Sequence, residues 1–518
     1  MWTITANGMW TTRRNVDSAA PRAASRATDH PEIVFTDEAS RYALSKAAAR
    51  GRIRRISRGI YTRSLDELAR VVRRNLWAIV GHEFPGAVIS DRCGRSHGLD
   101  ELGQLTLVHA RTRPLGLPGA RLVPRKGQGP LEGDIPLPFG LWGASAERTI
   151  LESLRGKGPR YLAREEIEAW IVDMAAQSNG AQRLNDLRDR SRRLAPALDA
   201  EGAFRRLDEL ISATLRTGSA AVARTPALRA WSEGAPYDRP RLARFEKLAS
   251  VLADRAPEPL PTLPEDAPRR ELLPFYEAYF SNYIEGTEFS LDEAAAIVFE
   301  AAVPAARPKD AHDILGTYRL VADDAERRRT PQTADQLVSI LLTRHAIMLD
   351  ARPEALPGRF KERANRAGTT LFVAPDLVEA TLRAGFDAGR RLVDPFARAC
   401  FLMFLVTEVH PFADGNGRIA RVMMNAELTA ADQVRIIIPT VYRLNYLAAL
   451  KGATHNDQFE PLIATLRFAQ RYTARLDLSS RTTAERDFAA TNALRDANEA
   501  EDYGIRLTLP GIPADSAR

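Results

Sequence analysis

Cysteine is nearly absent. Cys93 and Cys400 are the only two in 518 residues, and their separation matches no metal or redox spacing. A disulfide-stapled scaffold is thereby excluded, and two reduced, buried thiols are expected. Long apolar runs are missing too. The longest, Ala399 to Val406, falls well short of the roughly 18 residues a membrane span requires and lies inside a helical pattern. Residues 1 to 30 carry arginines but no apolar core of a secretory leader, so a cytoplasmic protein with no membrane partner is expected. No internal repeat is present, which excludes a solenoid. Charge of one sign is scarce as well, with 73 basic residues against 66 acidic ones. The excess gathers near the N-terminus, where Arg50, Arg52, Arg54, Arg55, Arg58 and Arg63 fall within fourteen residues. That cluster is either a phosphate-contacting surface or a solvated face.

What is there is too long for one core: about one domain per 150 residues suggests roughly three. Residues 1–30 are polar and expected to be mobile. Residues 31–160 read as an α+β region. A helix follows Thr36 as N-cap and runs out near Gly51, and Ile53, Ile56, Ile60 and Tyr61 then form a strand-turn-strand with the turn at Gly59. Helix plus basic hairpin is the outline of a winged helix. A further helix, Leu65 to Val80, and short apolar segments such as Leu105 to Val108 complete this region. Residues 161–256 are helical in character. The stretch Ala256 to Pro264 holds Pro257, Pro259, Pro261 and Pro264, each of which removes an amide donor, so 257–269 is read as a linker. Residues 270–475 read as helix after helix with one hairpin, and 476–518 as an exposed helix, 480 to 503, and a tail.

The chemistry concentrates at His410-Pro411-Phe412-Ala413-Asp414-Gly415-Asn416-Gly417-Arg418-Ile419-Ala420-Arg421. Pro411 breaks a preceding apolar helix, the two glycines let the backbone approach a ligand, and a new helix opens near Asn416. Amides at such an N-terminus suit phosphate oxygens. Arg418 and Arg421, three apart, can face one anion. Asp414 is placed to hold Mg²⁺ bridging phosphates, and His410 titrates near neutrality as a general base. Each residue alone has a structural explanation; together they describe phosphoryl or nucleotidyl transfer.

This segment resembles the signature of the Fic family, His-Pro-Phe-x-Asp-Gly-Asn-Gly-Arg-x-x-Arg, at every defined position. The resemblance implies an all-α C-terminal domain with a β-hairpin flap inside a multidomain, mainly α chain. It implies transfer of AMP from ATP to a Ser, Thr or Tyr hydroxyl of a protein, with ATP as substrate and Mg²⁺ as cofactor. His410 would deprotonate that hydroxyl, Asp414 would hold Mg²⁺, Gly415, Asn416, Gly417 and Arg418 would form the anion hole, and Arg421 would lie near the γ-phosphate. Gly417 favours nucleotide transfer over the related kinases, which replace the second glycine.

Three flanking features extend the likeness over about 270 to 470. Arg359 to Arg363, then Gly368, Thr369, Thr370 and the run Leu371-Phe372-Val373, resemble the flap that pairs with a target backbone around an Asn365 to Gly368 turn; a generic surface hairpin is the alternative. Arg443 to Leu450 is similar to the adenine-enclosing segment, with Tyr446 and Leu447 as candidates. Ser281-Asn282-Tyr283-Ile284-Glu285-Gly286 is similar to the family's inhibitory motif, in which Ser281, Glu285 and Gly286 are the defined positions. There Glu285 would pair with Arg421 in the γ-phosphate space, and hydrolytic removal of AMP is an additional implied activity.

Residues 34 to 63 and Ala144-Ser145-Ala146-Glu147-Arg148-Thr149 are similar to winged-helix antitoxin-type regulators of type IV toxin–antitoxin systems. On that likeness Arg50, Arg52, Arg54, Arg55 and Arg58 are candidates for DNA contact. Two readings therefore stand. One is an enzyme whose N-terminal part docks a target; the other is a DNA-binding regulator with a controlled or silent effector domain. A homo-oligomer is left open.

Overall fold

The computed structural model describes residues 32–37, 41–177, 179–262 and 267–511; residues 1–30, expected to be mobile, lie outside them. The chain divides into two compact units, one ending at Arg229 and one beginning at Ala230.

The first unit opens with β1 (Ile33–Phe35), α1 (Arg41–Ala49), β2 (Arg54–Ser57) and β3 (Ile60–Thr62), the strands pairing antiparallel in the order β1-β3-β2. The hairpin expected around Gly59 is there. The capping role of Thr36 is not: the described helix starts at Arg41, and the Thr36 hydroxyl donates to the Gly59 carbonyl at 3.3 Å. The single helix expected from Leu65 to Val80 is two, α2 (Leu68–Arg74) and α3 (Leu76–Glu83). Asn75 breaks it, its side chain donating back to the Val71 carbonyl and across to Glu32. Then come β4 (Val88–Ile89), β5 (Gln104–Val108), β6 (Leu115–Leu117), β7 (Ala120–Arg125), β8 (Ile135–Leu137) and β9 (Leu141–Gly143), which form one mixed sheet in the order β6-β7-β5-β4-β9-β8.

Four helices follow: α4 (Ala146–Arg155), α5 (Arg164–Ala175), α6 (Gly180–Leu194) and α7 (Glu201–Thr214). The Ala144 to Thr149 segment has a structural explanation. Ser145 caps α4 by accepting from the Arg148 amide, and the fully buried Arg148 guanidinium pairs with Asp134 at 2.7 Å and donates to the Gly129 and Gln128 carbonyls. A buried cation needs all of those partners, so this one arginine fixes the 128–134 loop against the helix.

The unit boundary falls within α8 (Pro226–Ser232), not in the proline-rich stretch. α9 (Arg239–Ala253) places Phe245, Leu248 and Leu252 in the same core as the signature helices, so it belongs to the second unit. The segment read as a linker is tied down inside that unit: Pro261 bridges Gln433, the Thr262 amide bonds the Asp432 carbonyl, and the Val434 amide bonds the Leu260 carbonyl. Proline prevents a helix but leaves extended pairing open on the carbonyl side.

The second unit continues with α10 (Ala267–Ile284), α11 (Leu291–Glu300), α12 (Pro308–Ala322) and α13 (Ala334–Met348). The hairpin β10 (Arg366–Ala367) and β11 (Thr370–Leu371) comes next. It is followed by α14 (Val378–Gly389), α15 (Pro395–Val409), α16 (Asn416–Ala430), α17 (Arg443–Asn456), α18 (Phe459–Ala474), α19 (Arg481–Ala490) and α20 (Ala497–Asp502). α15 is buried along nearly its whole length, which explains why its apolar run is not amphipathic. The exposed helix expected over 480–503 is instead the pair α19 and α20, and it is packed. Phe488 is fully buried and meets Tyr276 and Phe280 of α10 edge-on at 4.7 and 5.4 Å. Both cysteines are free and buried, and burial raises their thiol pKa values. No helix of the described residues is long and apolar enough to cross a membrane.

Candidate active site

α15 ends at His410, a residue in the left-handed region (φ 53°, ψ 60°) whose amide still bonds the Val406 carbonyl. Nδ1 lies 3.2 Å from the Thr407 carbonyl, an acceptor, so the proton sits on Nδ1 and Nε2 keeps its lone pair. The imidazole stacks on Phe372 at 3.7 Å with 4° between the rings. Burial lowers its pKa to about 4, with the Thr407 bond opposing and the nearby Lys361 charge assisting.

The turn that follows is held from several sides. The Asn416 side chain accepts from the Phe412 amide at 2.8 Å and donates to the Phe412 carbonyl at 2.9 Å. Asn365 donates to the same carbonyl, and the Lys361 amide bonds the Pro411 carbonyl at 2.9 Å. Gly415 takes φ 75°, which a side chain resists, and α16 starts at the next residue. The amides of Asn416, Gly417 and Arg418 therefore begin a helix with no carbonyl one turn back to bond. The Asp414 carboxylate is 54% exposed, with Oδ1 accepting from the Gly415 amide at 2.6 Å. An imidazole, an exposed carboxylate and open amides are thus gathered around one turn.

The two guanidiniums are already engaged. Arg418 is buried, 2.6 Å from Asp313 Oδ2 and 3.3 Å from Asn282 Oδ1, and Asp313 is itself gripped by both arms of Arg352. What residue 418 offers an anion is its backbone amide, so the expected pair of arginines on one phosphate is corrected for that side chain. Arg421 donates through Nε to Ser281 Oγ at 2.9 Å and through Nη2 to the Ser281 carbonyl and to Glu285 Oε1, each at 2.8 Å. The Glu285 carboxylate lies directly against the start of α16: a Cβ added at Gly417 would stand 2.2 Å from Glu285 Oε1. Gly286, next in the chain, turns away with φ 92°.

The segment likened to a flap is a hairpin pairing Arg366 with Leu371 and Ala367 with Thr370, so its turn is Gly368-Thr369, slightly beyond the Asn365 to Gly368 turn expected. Gly368 and Thr369 are exposed, and Thr370 is half-buried with its hydroxyl 2.8 Å from His455 Nε2. Arg241 of α9 holds the hairpin by donating to the Leu371 carbonyl. Tyr446 lies beneath Arg421, with which its side chain is hydrogen-bonded. It is 1% exposed, its hydroxyl on Met403 Sδ at 3.4 Å, and burial raises its pKa. Helical spacing put the ring into the core, and Leu447 is half-buried against that same core.

Of the arginines considered for DNA, Arg54 donates to the Leu65 and Asp66 carbonyls and Arg55 to the Ser57 carbonyl. Arg50, Arg52 and Arg58 are exposed.

Sequence reasoning missed His345, Phe372, Asp313 and Arg352. Phe372 lay in a run already noted as a flap strand. His345 sits among Ile340, Leu341 and Leu342 on α13, where the pattern reads only as core.

Residues 337–428 match the model of the Fic/DOC family. The chain carries a Fic domain. Protein adenylyltransferase Fic of Nematostella vectensis is 30% identical over 241 residues, 44% of this chain and 54% of that protein. Protein adenylyltransferase fic-1 of Caenorhabditis elegans is 25% identical over 188 residues, 35% of this chain and 37% of that one. The chain thus spans about half or less of these curated relatives. Among solved structures, Fic-1 from C. elegans aligns with TM-score 0.34 at 20% identity, covering 62% of this chain and 95% of that one.

Proposed function

We propose that the Fic domain transfers AMP from ATP to a hydroxyl side chain of a target protein. The observation that carries this reading is the juxtaposition of an Nε2 lone pair on His410 with the unbonded amides opening α16. The acceptor hydroxyl gives its proton to His410 Nε2 as its oxygen bonds the α-phosphorus. The bond from that phosphorus to the α,β-bridging oxygen breaks, and pyrophosphate leaves. The amides of Asn416 to Arg418 face the charge that builds on the phosphates, which the helix N-terminus favours.

Mg²⁺ fits Asp414. Its carboxylate is exposed beside those amides, and Mg²⁺ is ordinarily held by one or two carboxylates with substrate phosphates completing the shell. No cluster of three or more ligating side chains exists among the described residues, which suits a cation that arrives with its nucleotide. When bound, the cation would neutralise phosphate charge. Glu285 supports a second element of the reading, autoinhibition: it occupies Arg421 and the space against Gly417 where a terminal phosphate would lie.

The deciding measurement uses the chain with ATP labelled at either end. Label on the α-phosphate is expected on protein and label on the γ-phosphate is not; the reverse would make the domain a kinase.

The pH dependence follows from the position of His410. Its neutral form persists well below the ordinary imidazole value of 6.5, so transfer per folded molecule should stay level as pH falls through 6.5 and drop only near 4. Between those values the unfolded chain binds protons that the folded imidazoles of His345 and His410 refuse. Folding stability therefore declines over the same window, and a melting curve at each pH separates the two effects.

A further inference from the structure

His345 lies near the end of α13 and is fully buried, yet it touches the catalytic turn in three ways. Its Nδ1 accepts from the Gly358 amide at 3.1 Å, which leaves the ring proton on Nε2. Nε2 then donates to the Asp414 carbonyl at 3.1 Å. The ring face lies on Phe412 at 3.8 Å with 4° between the planes. Cδ2 of the same ring is 3.7 Å from where a Cβ on Gly415 would be.

The Asp414 carbonyl is the one that the Arg418 amide would bond if α16 extended one residue further back. Turned toward His345, it leaves that amide aimed out of the helix. The peptide so held also sets the direction of the Asp414 carboxylate. We propose that His345 is a positioning residue: through one hydrogen bond and one ring stack it fixes the 412–415 turn, so that the Asp414 carboxylate and the Asn416 to Arg418 amides are presented together to a triphosphate. The inference rests on the nucleotidyl-transfer reading above. It gives α13 a role in the site, because one of the two bonds that satisfy this buried ring ends on the Asp414 carbonyl and the ring face lies on Phe412.

Two substitutions separate positioning from packing. His345→Gln keeps a donor near the place of Nε2, and His345→Asn keeps an acceptor near the place of Nδ1. Both are made in the Glu285→Gly background and compared by kcat and KM for ATP in self-labelling, with a melting curve for each. Loss of a bond to a residue that orients a ligand typically costs roughly 10–100-fold. The Asn variant is expected to lose that much in kcat/KM, mostly through KM for ATP, while the Gln variant stays close to the parent. Equal losses in the two, or losses that follow melting temperature alone, would overturn the proposal. Should the Asn variant not fold, the Gln variant decides alone: folded but roughly tenfold down in kcat/KM, it also rules the proposal out. No labelling by the Glu285→Gly parent itself would instead refute the transfer reading, and the proposal with it.

Discussion

His410→Ala is expected to abolish labelling of protein by α-labelled ATP while ATP still binds. A positioned general base contributes about 10²–10⁴-fold. Lys361, Glu285 and Asp414 act on the imidazole by charge; Lys361 is committed to Asn365 and Glu285 to Arg421. Binding should survive because the imidazole faces Phe372 and the Thr407 carbonyl, whereas the amides that would hold phosphates belong to the next helix. Equilibrium binding of a nucleotide analogue to the variant checks that half. Labelling at the parental rate would remove His410 as the base.

Glu285→Gly is expected to raise self-labelling. In the resting arrangement Glu285 Oε1 takes one arm of Arg421 at 2.8 Å and fills the space against Gly417. On the proposed reading a terminal phosphate would have to displace that carboxylate, because two anions cannot share the place. Coupling between such competing states is typically about 1–3 kcal/mol, which corresponds to roughly a 5–150-fold change in affinity. The variant should therefore bind ATP more tightly and label faster. Arg421 keeps its two bonds to Ser281, so the fold should tolerate the loss. Ile284, at the end of α10, still receives Arg443 on its carbonyl, which holds the helix in place without Glu285. Unchanged labelling in the variant would discard the inhibitory role.

The difference between what could be read and what could not is visible residue by residue. His410, Asp414 and the Gly415 to Arg418 turn were legible because their chemistry depends on neighbours in the chain. A helix that must stop, a glycine that must turn and a helix that must start are local events, and a twelve-residue window contains them all. Glu285 was legible only through its resemblance to a known motif, since 136 positions separate it from Arg421. Tyr446 is both buried and bonded to Arg421, and an aromatic at helical spacing carries no mark of which neighbour it meets. The C-terminal helices misled because Phe488 is one large apolar residue in a polar stretch, and only Tyr276 and Phe280 give it a place to go. The proline-rich stretch looked like a domain boundary because prolines forbid helix, but they do not forbid pairing beside Asp432 to Val434.

The order of imidazole, carboxylate and amides along 410–421 was determined by the sequence alone, because backbone constraints between adjacent residues act whatever surrounds them. Tertiary structure alone decided which charges are free. Asp313, itself held by Arg352, pairs with Arg418, Glu285 and Ser281 hold Arg421, and His345 turns the Asp414 carbonyl, each from a segment remote in the chain. A buried charge or carbonyl must find a partner, and which partner it finds depends on packing between helices, which no local pattern contains.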